Sequence, residues 1–328
     1  MRSSEQTKEQ RDIEARKVQK LGSSSLFVTL PKKWINKWNI KPGDKVIVEV
    51  DSNGVLKLVA EKIKTGSGKR AVIIDIDSSK QDVENILLCM YSLGYDEIIL
   101  ESKKPLSQEE LEEIMEAIKQ ISGLEITEMF GTKIKIECLL DSDKIGEDSL
   151  LRRMLNIVAK QIEDAFNSKQ DEVLSLAEEM HRIYLIFSRR ILGKSNYTES
   201  QKVRDTILYS TASLLYQLSN TSIQIINYLD ELKGQDKESI NQLVSKINNT
   251  LDEIVMSLIF PSVKRINNAI ELVREIKEIA KEYVSNKPFY IFLTNLTSLF
   301  EFHVRNSSCV MYLEEFPWME KLITSNSS

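Results

Sequence analysis

The spacing of apolar positions changes along the chain and divides it into three stretches. Over residues 15–60 apolar residues fall in short runs at 26–30, 46–50 and 55–59, separated by turn signals, which predicts strands joined by tight turns. Asn53-Gly54 suits a type I′ hairpin, because both residues tolerate positive φ. In Lys41-Pro42-Gly43-Asp44, proline has the φ required at the second turn position and glycine supplies the positive φ of the third, as in a type II turn. Residues 31–39 predict a short helix, with Pro31 at its first position, Asn39 near its end, and Trp34, Ile35 and Trp38 on one face.

After a flexible Thr65-Gly66-Ser67-Gly68 linker the pattern alternates between strand and helix. Strands are expected at 71–76, 97–100, 124–128 and 133–138, with helices at 81–93, stopped by Gly94, and at about 108–121. Ser107-Gln108-Glu109-Glu110 has the spacing of a capping box, the serine accepting from first-turn amides while Glu110 reaches back. Glu109, Glu112, Glu113 and Glu116 on that helix read as a solvated face, since no His, Ser or Cys pairs with them.

From Asp148 onward turn signals are sparse and apolar residues recur every three to four positions, as at Leu151, Met154, Leu155, Val158, Ile162 and Ala165. Breaks near 167–169, 193–200, 234–236, 260–261 and 286–288 predict six helices in two groups of three. A weak internal repeat relates Leu218-Ser219-Asn220-Thr221-Ser222 to Val304-Arg305-Asn306-Ser307-Ser308. The expected fold is multidomain α+β: a β unit over 12–62, a mixed βαβ segment over 69–142 and a helical bundle over 148–324.

Composition narrows the function classes. With 42% hydrophobic and 28% charged residues, 6 Pro and 11 Gly, the 328-residue chain is an ordinary helix-rich globular protein, not collagen, low-complexity disorder or a disulfide scaffold. Three cysteines without a C-x-x-C pair and two histidines make no recognisable zinc site. No window has the apolar length to cross a bilayer and the first residues lack a signal-peptide core, so a cytoplasmic protein is expected. The glycine-rich phosphate loops and the nucleophile elbow are absent, and no nucleophile, base and orienter come together, so an enzyme is not expected.

Charge does more to locate function. Residues 1–70 carry 16 Lys and Arg against 8 Asp and Glu, a net of +8, whereas the remaining residues carry 28 against 41, a net of −13. A basic head on an acidic body points to a polyanion at the amino-terminal end. A head of this size with one short helix has too little core to be comfortable as a monomer, so a partner chain is expected.

Arg16-Lys17-Val18-Gln19-Lys20-Leu21-Gly22, the strand ending at Leu30-Pro31, the helix, and Asn39-Ile40-Lys41-Pro42-Gly43-Asp44-Lys45-Val46 resemble the AbrB/SpoVT swapped-hairpin domain. That resemblance implies a dimeric barrel of two interlaced chains that binds double-stranded DNA. The matching contact residues are Arg16 and Lys17 on a strand, Lys20, Ser23, Ser24 and Ser25 in a loop, and Lys32 and Lys33 at the helix start. Lysine and arginine neutralise phosphates, while serine hydroxyls and loop amides donate to phosphate oxygens. The loop Gly22-Ser23-Ser24-Ser25 lacks the arginine that often follows the glycine in that family. The same module can also serve as a dimerisation or antitoxin-like peptide-binding unit without DNA.

The layout of the helical part resembles the PhoU phosphate-uptake regulators. Leu139-Leu140-Asp141 leads to Leu151-Arg152-Arg153-Met154, and Glu178-Glu179-Met180-His181-Arg182-Ile183-Tyr184 is similar to that family's acidic helix segment. With the head in front, the order is similar to an archaeal fusion architecture. The resemblance implies a link to phosphate homeostasis, with phosphate-transport or signalling proteins as partners. It also implies iron or zinc held by carboxylates four residues apart, but the corresponding positions here are Ala177 and His181, Tyr216 and Asn220, and Phe302 and Asn306. Neutral amides lack the charge that holds a hard cation, so no metal and no other cofactor is expected. Asn220 and Asn306 are instead expected as a hydrogen-bonded helix-packing pair, and His181 and His303 as satisfied, partly buried imidazoles.

Together these expectations describe a homodimeric, DNA-binding transcriptional regulator whose helical bundle is a sensor or docking module. The alternative is an accessory regulator that docks on a phosphate transporter or signalling kinase and uses the head only to dimerise.

Overall fold

The computed structural model describes residues 15–22, 25–50, 56–60, 69–79, 82–141, 144–194, 199–229 and 237–313. Ser23, Ser24, the Asn53-Gly54 turn, the 65–68 linker and the break at 234–236 lie outside them. The chain is mixed α+β and divides into two compact units, Met1–Gly68 and Lys69–Ser328.

The first unit holds two hairpins and one helix. Strand β1 (Gln19–Leu21) pairs antiparallel with β2 (Ser25–Phe27), placing Lys20 opposite Leu26. Helix α1 spans Lys32–Lys37, and β3 (Val46–Val50) pairs antiparallel with β4 (Leu56–Ala60). Gly22 turns the chain after β1 at φ +70°. The predicted strand at 26–30 is thus shorter and shifted, because the short loop after Leu21 pairs the chain with residues 25–27 and leaves 28–30 to lead into the helix.

The second unit begins with a four-stranded sheet in the order β5-β6-β8-β7, formed by β5 (Ala71–Asp75), β6 (Glu97–Glu101), β7 (Leu124–Phe130) and β8 (Lys133–Cys138). β5 and β6 are parallel, and the other pairings are antiparallel. Helix α2 (Ile76–Ser79) is a single turn that Asp75 closes by accepting from the Ser78 amide and hydroxyl. α3 (Val83–Ser92) and α4 (Gln108–Gln120) supply Leu87, Tyr91, Ile114, Ala117 and Ile118 to a core with Ile98, Leu100, Ile134 and Ile136 of the sheet. The capping box forms at α4: the Ser107 hydroxyl accepts from the Glu110 amide at 3.3 Å, and Glu110 accepts from the Ser107 amide at 2.7 Å. Glu109, Glu112, Glu113 and Glu116 are all exposed, as a solvated face requires. On the sheet itself, Lys135 and Lys69 hydrogen-bond to Glu137 and hold its carboxyl at about 2.

Residues 147–310 form α5 (Glu147–Phe166), α6 (Gln170–Leu192), α7 (Glu199–Leu229), α8 (Lys237–Ile259), α9 (Val263–Ala280) and α10 (Lys287–Val310). Each long helix buries an apolar stripe in one shared core. α5, α6 and α7 pack on one another, α8, α9 and α10 do the same, and the pairs α5–α8 and α7–α10 join the two sets.

The sheet layer and the helices are stitched together through α6. Leu185 enters the sheet's core. Arg189, 5% exposed, donates to the carbonyls of Tyr91 at 3.1 Å and Tyr95 at 2.7 Å, pairs with Asp96 and lies over the Tyr91 ring. Gly94 and Gly193 meet beside it, where a Cβ on Gly94 would come within 2.7 Å of the Gly193 Cα.

Candidate nucleic-acid interface

The first unit is built around turns that its sequence dictates. The chain leaves α1 through Asn39 in the left-handed region at φ +47°. The Ile40 amide donates to the Ile35 carbonyl at 3.0 Å and the Asn39 amide to the Asn36 carbonyl at 3.3 Å, a Schellman motif that satisfies the last carbonyls of the helix. The next turn has Gly43 at φ +96° and is closed twice: the Asp44 amide donates to the Lys41 carbonyl at 3.0 Å, and the Lys41 amide to the Asp44 carboxylate at 2.8 Å.

The cations are spread over several elements of this unit. Arg16 and Lys17 are exposed and lie in the extended segment ahead of β1, so the strand expected to carry them begins three residues after Arg16, at Gln19. Lys20 sits inside β1 and Ser25 opens β2, so both belong to the paired strands rather than to the loop between them. Lys32 and Lys33 are exposed in the first turn of α1, which carries no acidic residue. The backbone dipole favours acids at that end of a helix, so two lysines there work against helix stability. Lys41, which opens that turn, and Lys45, which follows it, are also exposed.

Burial in this unit is slight. Among its described residues none is buried. The register of β3 with β4 places Val46, Val48, Val50, Leu56 and Leu58 on one face of the hairpin. Val46 and Leu58 are half-buried, but the turn end of that face is open: Val50 is 79% exposed and Leu56 64%, and Leu26 of the first hairpin is 71% exposed. Contiguous apolar surface of this kind marks a place where another surface binds.

A second group of polar side chains lies on α6 and α7, at two of the helix sites compared with metal-binding carboxylates. His181 Nδ1 is 2.9 Å from the Tyr216 hydroxyl, and Tyr184 stacks on Tyr216 with ring centroids 4.5 Å apart. The Tyr184 hydroxyl donates to that of Tyr209 at 3.2 Å and lies 3.3 Å from Ser213 Oγ. Burial and this hydroxyl neighbour push Tyr209 up to about 12. Spacing of three and four within each helix could have shown this network; its pairing across helices could not. Among the described residues no group of three or more His, Cys, Asp and Glu side chains is arranged to hold a metal ion.

Two expectations here are corrected. Asn220 is exposed, so it is not a buried helix-packing partner of Asn306; Thr211, Ser219 and Ser222 are the buried polar residues of that stretch of α7. The imidazoles are not fully satisfied, because His181 Nε2 and His303 Nδ1 are buried without a hydrogen-bond partner.

Residues 19–69 match the family model of the antidote-toxin recognition MazE, bacterial antitoxin. The match covers the two hairpins and α1, and begins after Arg16 and Lys17. Over residues 19–69 the chain is thus similar to a MazE/AbrB-like domain. No curated protein and no solved structure matches the chain. No helix among the described residues is long and apolar enough to cross a membrane.

Proposed function

We propose that the chain is a DNA-binding regulator that works as a homodimer through its amino-terminal unit, with the helical part as a sensor or docking platform. One observation carries this reading: the unit that exposes Lys17, Lys20, Lys32 and Lys33 also exposes Val48, Val50 and Leu56 on one face of its second hairpin. A second copy laid on that face covers those residues and doubles the cations available to one duplex. The AbrB/SpoVT resemblance and the MazE match support this arrangement, including its closure into a swapped barrel. Lysines kept at a helix start against the backbone dipole are explained when phosphate oxygens compensate them.

The reading is tested with the full chain and a Lys17→Glu/Lys32→Glu/Lys33→Glu variant, measuring duplex binding by fluorescence anisotropy. Removing three cations per chain from a dimer is expected to weaken binding by roughly 10²-fold or more at low salt. Unchanged affinity would mean that the unit does not read DNA.

The matched family is described as an antitoxin, which favours a second reading in which the protein also sequesters a toxin partner. Co-purification of one stoichiometric small protein from the native source, released without loss of DNA binding, is the outcome that reading requires. The packing of α5–α7 and α8–α10 as two joined sets of three supports the PhoU-type reading and a role in phosphate homeostasis. Genome-wide mapping of the bound protein tests that link by whether its sites lie beside phosphate-uptake genes.

A further inference from the structure

Between α9 and α10 lies a cavity of about 290 Å³ with two unlike parts. Its floor is apolar: Ile266 and Val273 of α9 and Val304 of α10 are buried there, and Ile270 stands exposed beside them. Arg274 of α9 and Arg305 of α10 line it as well, and both are exposed. The fold engages these cations little. Among the described residues Arg305 has no carboxylate partner. Arg274 touches Glu271 at 3.3 Å in an exposed pair, which contributes little and leaves most of its donors unengaged. Glu301, the acidic residue of the lining, is held by Lys277 at 2.6 Å. The Ser308 hydroxyl donates to the Arg305 carbonyl at 2.6 Å, so the two guanidiniums supply the donors at this cavity. In a body with a net charge of −13 over residues 71–328, cations left uncompensated beside an apolar floor are a local exception.

We propose that this cavity binds a small organic anion, a carboxylate on an aliphatic chain, with its head at Arg274 and Arg305 and its chain over Ile266, Val273 and Val304. A guanidinium fork matches the geometry of a carboxylate and pairs with it through two parallel hydrogen bonds. An inorganic anion would meet the arginines but leave the apolar floor in water. A neutral hydrocarbon would cover the floor but leave the cations without a counter-charge. Volume sets the chain length: at about 30 Å³ for each water-sized group, the space takes about ten non-hydrogen atoms, as in octanoate. Apolar clefts between bundle helices, with a few placed polar groups, are where small ligands bind. The inference concerns the helical part alone and does not require the amino-terminal unit to bind DNA.

The test is calorimetric titration of the full chain with octanoate. Saturable binding is expected, whereas acetate and octanol, each lacking one part of the ligand, should give none. Hexanoate should bind about fifteenfold more weakly, at about fourfold for each methylene removed. Arg274→Gln and Arg305→Gln are each expected to weaken octanoate about tenfold or more. Ile270→Glu, which adds a carboxylate beside the floor, should abolish binding, and Lys281→Gln, just past α9 and outside the cavity, should leave it unchanged. The substituted side chains are exposed, so the variants should keep the parent's circular dichroism and thermal midpoint. Absence of octanoate binding overturns the proposal. So does full affinity in Arg305→Gln, which would place the ligand elsewhere, such as on the exposed hairpin residues of the amino-terminal unit. Inorganic phosphate binding more tightly than octanoate also overturns it, because the apolar floor would then play no part.

Discussion

Gly43 and Gly94 both hold left-handed backbone, at φ +96° and +83°, but their surroundings differ. Nothing lies within 4 Å of a Cβ built on Gly43, whereas one on Gly94 meets the Gly193 backbone at 2.7 Å. Gly43→Ala should therefore cost only the conformational penalty of about 1–2 kcal/mol. Gly94→Ala adds a backbone clash and should cost about 2–5 kcal/mol, both read from denaturant midpoints. The first glycine was legible from the Pro-Gly pair beside it; the second was legible only as a helix stop, because its partner comes from the far end of α6. His303 shows the same divide. Burial pushes it down to about 4 from the ordinary 6.5. The unfolded chain then takes up a proton between those values that the folded chain refuses, so stability is complete above about pH 6.5 and falls as the pH drops toward 4. The loss is about 1.4 kcal/mol per pH unit inside that window. His181, also lowered by burial, adds in the same direction. His303→Leu should flatten the acid limb of stability measured by urea denaturation between pH 4.5 and 7; an unchanged limb would show that the imidazole is not the titrating group.

Among the elements, those with local signals were readable and those defined by their neighbours were not. Ser107 and Glu110 announced α4, and Asn39 marked the end of α1, because capping residues act within a few positions of themselves. β1 was not legible from the apolar pattern, since Gln19–Leu21 does not alternate; the family resemblance implied a strand there but set it at Arg16 and Lys17, before the residues that pair with β2. Arg189 was missed for a similar reason: a cation in the apolar run of α6 reads as a surface residue until the Tyr91 and Tyr95 carbonyls and Asp96 are seen around it. Replacing it by alanine removes the charged donor, leaving Asp96 with the Arg70 amide and the Tyr91 carbonyl with the Gly94 amide, and should destabilise the 69–328 unit by about 3–5 kcal/mol. Arg189→Lys should recover only part of this, because an ammonium cannot span three acceptors as a guanidinium fork does. Chemical denaturation of the two variants checks the order.

For the whole molecule, the division into a basic head and an acidic body was visible in the charge count alone, and it coincides closely with the boundary between the two compact units. What the count could not show is that none of the head's described residues is buried, nor that strand register puts Val46, Val48, Val50, Leu56 and Leu58 on one face, which they share only because β3 pairs with β4 as it does. Cations and exposed apolar residues on one small unit are the ground for a paired, DNA-holding head, and salt is the sharpest probe of it. Titrating a duplex with the full chain at 50 and 200 mM salt measures how many phosphates are neutralised. For a dimer making about 6–10 phosphate contacts, affinity should fall by roughly 10³- to 10⁵-fold across that range, with two chains bound per site. Binding that is absent at the lower salt, or that does not change between the two, would contradict it.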